Sequence, residues 1–229
     1  MEIRRKGHQK GFAVLICILW ALCFFSCSEK QKETDRHEVK NALNPKPDTG
    51  HIKKQTVPEF HIDIQPYDGI NEELAKHIYK ELSKVHSNVA LLPVISLPER
   101  AYYKPRNRYR ADTLIFLQRK SAKPGHVIVG LTNKDISTTD GKVPDWGVMG
   151  LGYQPGQACV VSTYRLSKSN IKEQFFKVAI HELGHTQGLN HCSDITCLMT
   201  DAKGKNNTNK EKGFCEKCKN CLKDKGFKL

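Results

Sequence analysis

Apolar residues alternate with polar ones over residues 59–65, where Phe60, Ile62 and Ile64 occupy every second position. This period of two predicts a β-strand with one buried face. It is the first such pattern after a long polar stretch, so we place the start of a folded domain near this point. The domain is predicted to span residues 58–229.

A helical pattern follows directly. Leu74, Ile78 and Leu82 recur every four residues, which places them on one side of a helix. Asn71 precedes them, and its side chain can accept a hydrogen bond from the first turn. We therefore predict a helix from Asn71 to about Val85.

Three further segments continue the alternation of strands and helices. Residues 89–97 are apolar on both faces apart from Pro93, which predicts an interior strand, and residues 127–131 predict a third strand. Between them, residues 109–119 predict a second helix. Its inward residues are predicted to be Leu114, Ile115 and Leu117. Strands and helices in alternation predict an α/β fold with a mixed, mainly parallel, twisted sheet.

Glycines are concentrated in residues 142–156, around Trp146 and Tyr153. They are Gly147, Gly150, Gly152 and Gly156. Glycine within strand-like sequence often marks close approach of another backbone, although the segment can also be a connection without a special role. In the apolar run that follows, Cys159 is expected to be a small buried hydrophobe and not a ligand.

A chemical motif begins at His181 and reads H-E-x-x-H-x-x-G-x-x-H. If residues 175–187 are helical, His181 and His185 lie one turn apart on the same face and can reach one metal ion. Gly188 can adopt a left-handed conformation, end the helix and turn the chain. His191 can then supply a third nitrogen.

Three histidines occupy three corners of a tetrahedron and leave the fourth corner open, as at a catalytic zinc site. Glu182 follows the first histidine and points beside the metal, where its carboxylate can take a proton from the attacking water and pass it to a leaving amine. The alternative is a set of solvated polar residues on an amphipathic helix. That alternative gives no reason for three histidines to converge.

Two close pairs of cysteines follow the motif. Cys192 and Cys197 form the first pair, and Cys215 and Cys218 form the second, as in closed four-cysteine zinc sites. Cys221 offers a second C-x-x-C with Cys218. In an oxidising compartment each pair can instead form a disulfide.

The chain between and after these pairs is polar. Residues 203–210 predict an exposed loop, and the C-terminal tail has too few apolar residues to add much to the core. A metal bound by four thiolates would supply the folding free energy that such a tail lacks.

Residues 59–222, and most specifically residues 179–222, resemble the archaemetzincins, a branch of the metzincin metallopeptidases. The resemblance rests on H-E-x-x-H-x-x-G-x-x-H-C-x4-C-x-M followed by F-C-x-x-C-x3-L. The gap from Met199 to Cys215 is slightly shorter than is usual in that family. Phe214 and Leu222 favour Cys215 and Cys218 as the second pair.

The resemblance implies a metzincin-like fold with an active-site helix and a small C-terminal subdomain clipped by zinc. It implies a peptidase acting on peptides or proteins, with two Zn²⁺ ions per chain, and the expected form is a monomer. In metzincins an edge strand above the helix pairs with the substrate, and residues 142–162 occupy that place in chain order. The implied roles are catalytic zinc at His181, His185 and His191; general base at Glu182; structural zinc at Cys192, Cys197, Cys215 and Cys218; and a turn beneath the catalytic metal at Met199.

Residues 1–26 resemble a bacterial lipoprotein signal peptide. Basic residues are followed by residues 12–25, which carry no charge and as a helix would span only about 21 Å, short of the ~30 Å of a bilayer core. Cys27 would be lipidated, and residues 27–57 would form a flexible polar linker. This predicts an exported, membrane-anchored protein of the cell envelope. The alternative is ordinary cleavage, with Cys27 unmodified and the protein secreted or periplasmic.

The net charge of +13 raises the question of nucleic-acid binding. Much of the excess lies at the two ends of the chain, and no basic patch is interleaved with aromatic residues, so no nucleic-acid partner is expected.

Two other functions compete with a peptidase. One is a zinc-binding envelope module without catalysis, against which Glu182 argues, and the other is a metallohydrolase of a non-peptide amide or ester.

Overall fold

The computed structural model of the protein describes residues 60–229. The predictions of a signal peptide at residues 1–26, lipidation of Cys27 and a linker at residues 27–57 lie outside this range. Within residues 60–229, no helix is long and apolar enough to cross a membrane.

Nine β-strands and four α-helices follow one another within residues 60–229. The strands are β1 (His61–Pro66), β2 (Val89–Leu91), β3 (Tyr102–Tyr103), β4 (Arg108–Arg110), β5 (His126–Thr132), β6 (Ile136–Asp140), β7 (Val143–Val148), β8 (Gly150–Gly152) and β9 (Ala158–Ser162). The helices are α1 (Glu72–Val85), α2 (Ala111–Ser121), α3 (Ile171–Thr186) and α4 (Glu216–Lys223).

A five-stranded sheet with the order β2-β1-β5-β9-β8 forms the middle of the fold. Its first four strands are parallel, and β8 is antiparallel to β9 at the edge. The predicted third strand corresponds to β5, which lies at the centre and is buried on both faces. The predicted mixed, mainly parallel sheet is confirmed.

Helices cover both faces of this sheet. On one face α1 and α3 pack against the side chains of Ile62, Ile64 and Val129, and on the other α2 packs against Val160. The predicted cap of α1 is confirmed, because Asn71 Oδ1 accepts a hydrogen bond of 3.2 Å from the backbone N–H of Leu74. The predicted stripe of Leu74, Ile78 and Leu82 is buried.

The prediction of an interior strand over residues 89–97 is wrong. Only Val89–Leu91 forms a strand, and it pairs on one side alone, at the edge of the sheet. Pro93 has no N–H to donate and interrupts the pairing, which resumes only as a single bridge between Ile95 and Tyr67. Beyond it, Val94 is 61% exposed and Ile95 is 47% exposed.

The second predicted helix exists but begins at Ala111, two residues later than predicted, because Arg108–Arg110 forms a strand. Its buried face includes Leu114 and Ile115, as predicted, but Leu117 is only half-buried. A second, four-stranded sheet with the order β3-β4-β6-β7 was not predicted.

The C-terminal tail contributes more to the core than the sequence predicted. Leu222 on α4 is fully buried in the main core, and Phe227 is 4% exposed. The Phe227 ring lies 5.6 Å from the Phe60 ring, and the N–H of Lys228 donates to the carbonyl of Val85 on α1. The tail therefore closes over the beginning of the domain.

Candidate active site

Helix α3 carries the first part of the histidine motif through the interior of the protein. It runs from Ile171 to Thr186 and so begins four residues before the predicted start. Phe175, Ile180 and Leu183 are buried on different sides of it, so the helix is central to the core. Gly188 has φ of +93°, so a left-handed glycine turns the chain after the helix, as predicted.

The structure brings the three histidines together. One nitrogen from each of His181, His185 and His191 lies within 4.8 Å of the other two. His181 Nδ1 is 2.6 Å from the carbonyl oxygen of Leu198, and His185 Nδ1 is 2.8 Å from that of Leu189. These carbonyls fix the two rings with their Nε2 atoms facing each other.

The arrangement of His181 and His185 fits a shared cation. A carbonyl oxygen only accepts, so each Nδ1 carries the proton and each neutral ring has a bare Nε2. The two Nε2 atoms are 3.0 Å apart, close to the roughly 3.3 Å separating two nitrogens on a tetrahedral zinc ion. Burial lowers the pKa of His181 to about 4 and also lowers that of His185, which favours the neutral form that binds metal.

Glu182 lies beside the histidines, but its carboxylate is not part of their cluster of ligand atoms. It is 8% exposed, and burial raises its pKa to about 8. The backbone N–H of Gly152 donates a hydrogen bond to it. A proton acceptor with a raised pKa is thus held next to the candidate metal site.

Strand β8 packs directly on this part of α3, and two of its residues must be glycine. A Cβ at Gly150 would lie 2.6 Å from Glu182 Cγ, and a Cβ at Gly152 would lie 2.5 Å from the Glu182 carbonyl oxygen. The predicted close approach of another backbone is confirmed at Gly152, whereas the neighbour of Gly150 is the Glu182 side chain. Because β8 is the edge strand, its other side is open.

A cavity of about 670 Å³ opens beside the histidines. Its walls are the edge segment from Trp146 to Gly152, the middle of α3, and the segment after Met199. On α3 the lining residues include Lys177 and Val178, which precede His181. The cavity therefore extends from the three histidines toward the N-terminal half of α3.

The four motif cysteines also converge. The Sγ atoms of Cys192, Cys197, Cys215 and Cys218 all lie within 4.8 Å of one another, and Cys192 and Cys215 are 3.7 Å apart. Two sulfurs at 2.3 Å from one tetrahedral zinc ion are roughly 3.8 Å apart, so the cluster fits such an ion. Cys221 is exposed and lies outside the cluster.

Backbone groups around these cysteines point at the sulfurs. Cys197 Sγ accepts from the N–H groups of Met199 at 3.4 Å and Cys215 at 3.3 Å. The N–H of Cys218 donates to Cys215 Sγ, which lowers the pKa of that thiol to about 7. Such donors stabilise thiolates, the form in which cysteine binds zinc.

Met199 links the two clusters. Its side chain is fully buried, and a Cβ at Gly184 of α3 would lie 2.7 Å from its sulfur. Its carbonyl accepts a 2.7 Å hydrogen bond from the N–H of Cys192. The residue thus packs against the active-site helix between the histidine and cysteine clusters.

Several residues of the site were not identified from the sequence. Gln154 Nε2 donates to the Leu189 carbonyl at 2.8 Å and to Asn190 Oδ1 at 2.7 Å, which supports the turn leading to His191. Lys177 and Glu211 also line the cavity. Gln154 and Glu211 are single polar residues in loops, which carry no periodicity, and Lys177 is one of several polar residues on α3, so no sequence signal pointed to them.

Cys159, by contrast, follows its prediction. It is fully buried in the sheet, and burial raises the pKa of its thiol well above the ordinary range. It belongs to neither cluster of ligand atoms.

Comparison with known proteins agrees with this geometry. Residues 61–224 match the model of peptidase family M54. An archaemetzincin from Haloarcula marismortui is 31% identical over 153 residues, covering 61% of this chain and 86% of the relative. One from Methanocaldococcus jannaschii is 29% identical over 178 residues, covering 73% of this chain and 96% of the relative.

Solved structures of archaemetzincins share the fold. The structure from Archaeoglobus fulgidus, a complex with malonate, has a TM-score of 0.61 and 27% identity and covers 71% of this chain and 99% of its own. The structure from Methanopyrus kandleri has a TM-score of 0.62 and 25% identity, and it covers 73% of this chain and 96% of its own. The chain therefore belongs to peptidase family M54, the archaemetzincins, and is a zinc metallopeptidase.

Proposed function

We propose that this chain hydrolyses peptide bonds in the cavity beside α3, with His181, His185 and His191 as the ligands of a catalytic zinc ion and Glu182 as the general base. The observation that carries the proposal is the pair of bare Nε2 atoms 3.0 Å apart, next to a buried carboxylate and open to a cavity. A cation between the two nitrogens removes the repulsion of their lone pairs.

The zinc ion, when bound, activates water for attack and polarises the scissile carbonyl. Glu182 accepts the proton of the attacking water and passes it to the departing amine. The Gly152 N–H holds the carboxylate in place during both steps. The carbonyls of Leu198 and Leu189 keep His181 and His185 oriented.

The substrate backbone pairs with β8 as an added strand. β8 is hydrogen-bonded to β9 on one side only, and its glycines bring it against Glu182. An extended peptide on the open side lies between β8 and the histidines, so that its backbone is presented to them.

Cys192, Cys197, Cys215 and Cys218 would bind a second zinc ion and so hold α4 to the segment after His191. This role is structural because four thiolates fill the tetrahedral shell and leave no position for a substrate. The 3.7 Å separation of Cys192 and Cys215 supports zinc and not a disulfide between them.

The experiment that tests the catalytic role compares wild type with Glu182→Gln and His185→Ala. We expect Glu182→Gln to keep its zinc and to lose at least about a hundredfold in peptide hydrolysis, since only the proton acceptor is removed. His185→Ala is expected to lose the catalytic zinc as well. Metal content and kcat/KM are measured on the same preparations. Wild-type rates in Glu182→Gln would refute the proposed base.

A parallel screen of amide and ester substrates that are not peptides tests the choice of substrate. Hydrolysis of those compounds at rates above all peptides would refute peptide cleavage as the main activity while leaving the zinc chemistry intact.

A further inference from the structure

Glu211 is a buried acidic residue in the wall of the active-site cavity. It is 8% exposed, and no residue among 60–229 donates a hydrogen bond to its carboxylate. Burial raises its pKa to about 7. An ionised carboxylate in such a place costs free energy unless a cation meets it. Groups of this kind are concentrated at functional sites.

The nearest cation, Lys177, already uses its hydrogen-bond donors elsewhere. An ammonium group has three protons. Lys177 Nζ lies 2.7 Å from Glu173 Oε1, 2.9 Å from the Thr208 carbonyl oxygen and 2.7 Å from the Glu211 carbonyl oxygen. No proton remains for the Glu211 carboxylate, and the side chains of Glu173, Lys177 and Glu211 together carry one net negative charge when ionised.

The same contacts place Glu211 near the reaction site. Lys177 precedes His181 by four residues, which is about one turn or 6 Å along α3. Because Lys177 binds the Glu211 backbone and both residues line the cavity, Glu211 lies on the cavity wall beside the turn of α3 that precedes His181. A lysine or arginine side chain on a residue beside the scissile bond is long enough to extend along this wall.

We propose that Glu211 selects peptide substrates with lysine or arginine beside the scissile bond. The substrate ammonium or guanidinium donates to the carboxylate in a charge-assisted hydrogen bond and neutralises the buried charge. This inference rests on the proposed peptidase function and adds the substrate class that the cavity takes.

The other charges of the cavity do not take the place of Glu211. Arg165 also lines the cavity, but its Nη2 lies 2.8 Å from Asp135 Oδ1 and 3.0 Å from Asp135 Oδ2, so its charge is already paired. The charged side chains within residues 201–205, one acidic and two basic, are exposed to solvent, which screens them. Among these groups, the Glu211 carboxylate is the buried charge that lacks a hydrogen-bonded partner.

The test uses the full chain loaded with zinc and a set of peptides that differ only at one residue flanking the cleaved bond. We expect wild type to cleave the lysine and arginine peptides at least about tenfold faster, in kcat/KM, than the methionine peptide. Glu211→Gln is expected to bring this ratio close to one. Glu211→Lys should favour the glutamate peptide. The matched control is Asp140→Asn, an exposed carboxylate lining the same cavity, which should keep the wild-type ratio.

A binding measurement separates this inference from the proposed chemistry. In the Glu182→Gln background, which is expected not to turn over, calorimetry should give a tighter Kd for the lysine peptide than for the methionine peptide, and Glu211→Gln should remove the difference. A Glu211-dependent difference in binding, without cleavage of any peptide by wild type, would support selection and refute the peptidase proposal. Equal affinities in folded protein, or a preference for acidic peptides that Arg165→Gln abolishes, would overturn the role of Glu211.

Discussion

Glu182 and Glu211 line the same cavity and are both buried, but their surroundings differ. Glu182 receives a backbone hydrogen bond from Gly152 and lies beside the candidate zinc ligands, whereas Glu211 has only the positive charge of Lys177 nearby. Burial outweighs that charge and raises the pKa of Glu211 from 4.5 to about 7. This burial lowers the free energy of unfolding at pH values where Glu211 is ionised.

We expect Glu211 to make stability fall as the pH rises from about 4.5 to 7. The unfolded chain releases the Glu211 proton near pH 4.5, but the folded protein holds it until about pH 7, so the folded state binds more protons in this window. The loss reaches up to about 3 kcal/mol and is complete above pH 7.

The variant Glu211→Gln removes this dependence, and its free energy of unfolding relative to wild type should grow across the same window. Denaturant titrations at pH 4.5, 6 and 8 measure the difference. Contributions of zinc, histidines and thiols are common to both proteins and cancel. If the free energies of unfolding of the two proteins changed with pH in parallel, Glu211 would not be buried as a charge.

At the scale of elements, α4 is too short to be stable alone. A helix of eight residues gains little from its own hydrogen bonds, and α4 has two anchors: buried Leu222 and the thiols of Cys215 and Cys218. We expect Cys218→Ser to lose one zinc ion per chain and to lower Tm by on the order of 5 °C or more, because a metal ligand and its folding free energy are lost.

Cys221→Ser is the matched control for this prediction, since Cys221 lies on the same helix but is exposed and outside the cluster. It should keep both the zinc content and the Tm of wild type. If Cys218→Ser bound as much zinc as wild type, the four-cysteine site would be refuted. If wild type held only one zinc ion and the four thiols resisted titration, disulfides would replace it.

The second sheet shows what element prediction from this sequence missed. Strands β3, β4, β6 and β7 have two to six residues, and β4 is Arg-Tyr-Arg, which has no apolar alternation. Strand β4 is held in place by residues that are distant in the sequence: Arg108 lies 2.6 Å from Asp135 and 2.9 Å from Asp145. Such ion pairs depend on the completed fold, so periodicity could not predict them.

At the scale of the whole molecule, we propose that the domain is exported and anchored by a lipid on Cys27. The full chain, expressed in a bacterial host, should be released from membranes by detergent and not by high salt, because the attachment is apolar. Cys27→Ser should move it to the soluble fraction, whereas the same change at Cys23, a cysteine four residues earlier in the sequence, should not. Recovery of wild type in a salt wash would contradict the anchor.

The sequence predicted the convergence of the histidines well because their spacing is local. Positions 181 and 185 lie one turn apart in any helix, and only the turn at Gly188 had to be inferred. Strands β1 and β5 were predicted for a similar reason, since the period of two in β1 and the unbroken apolar run in β5 are local patterns that need no knowledge of the rest of the fold. Glu211 shows the limit, because its burial depends on how the polar segment after Met199 folds against α3.

The contact between Phe60 and Phe227 has a consequence for the topology of the domain. Phe60, which directly precedes β1, packs beside Phe227, which follows α4, and the N–H of Lys228 donates to the carbonyl of Val85 on α1. A short linker from Leu229 to Phe60 would close the backbone into a ring. New ends could then be opened at the exposed glycine turn at Gly141, between β6 and β7. A circular permutant of this kind would retain the five-stranded sheet. The strands on either side of the new ends, β6 and β7, belong to the four-stranded sheet.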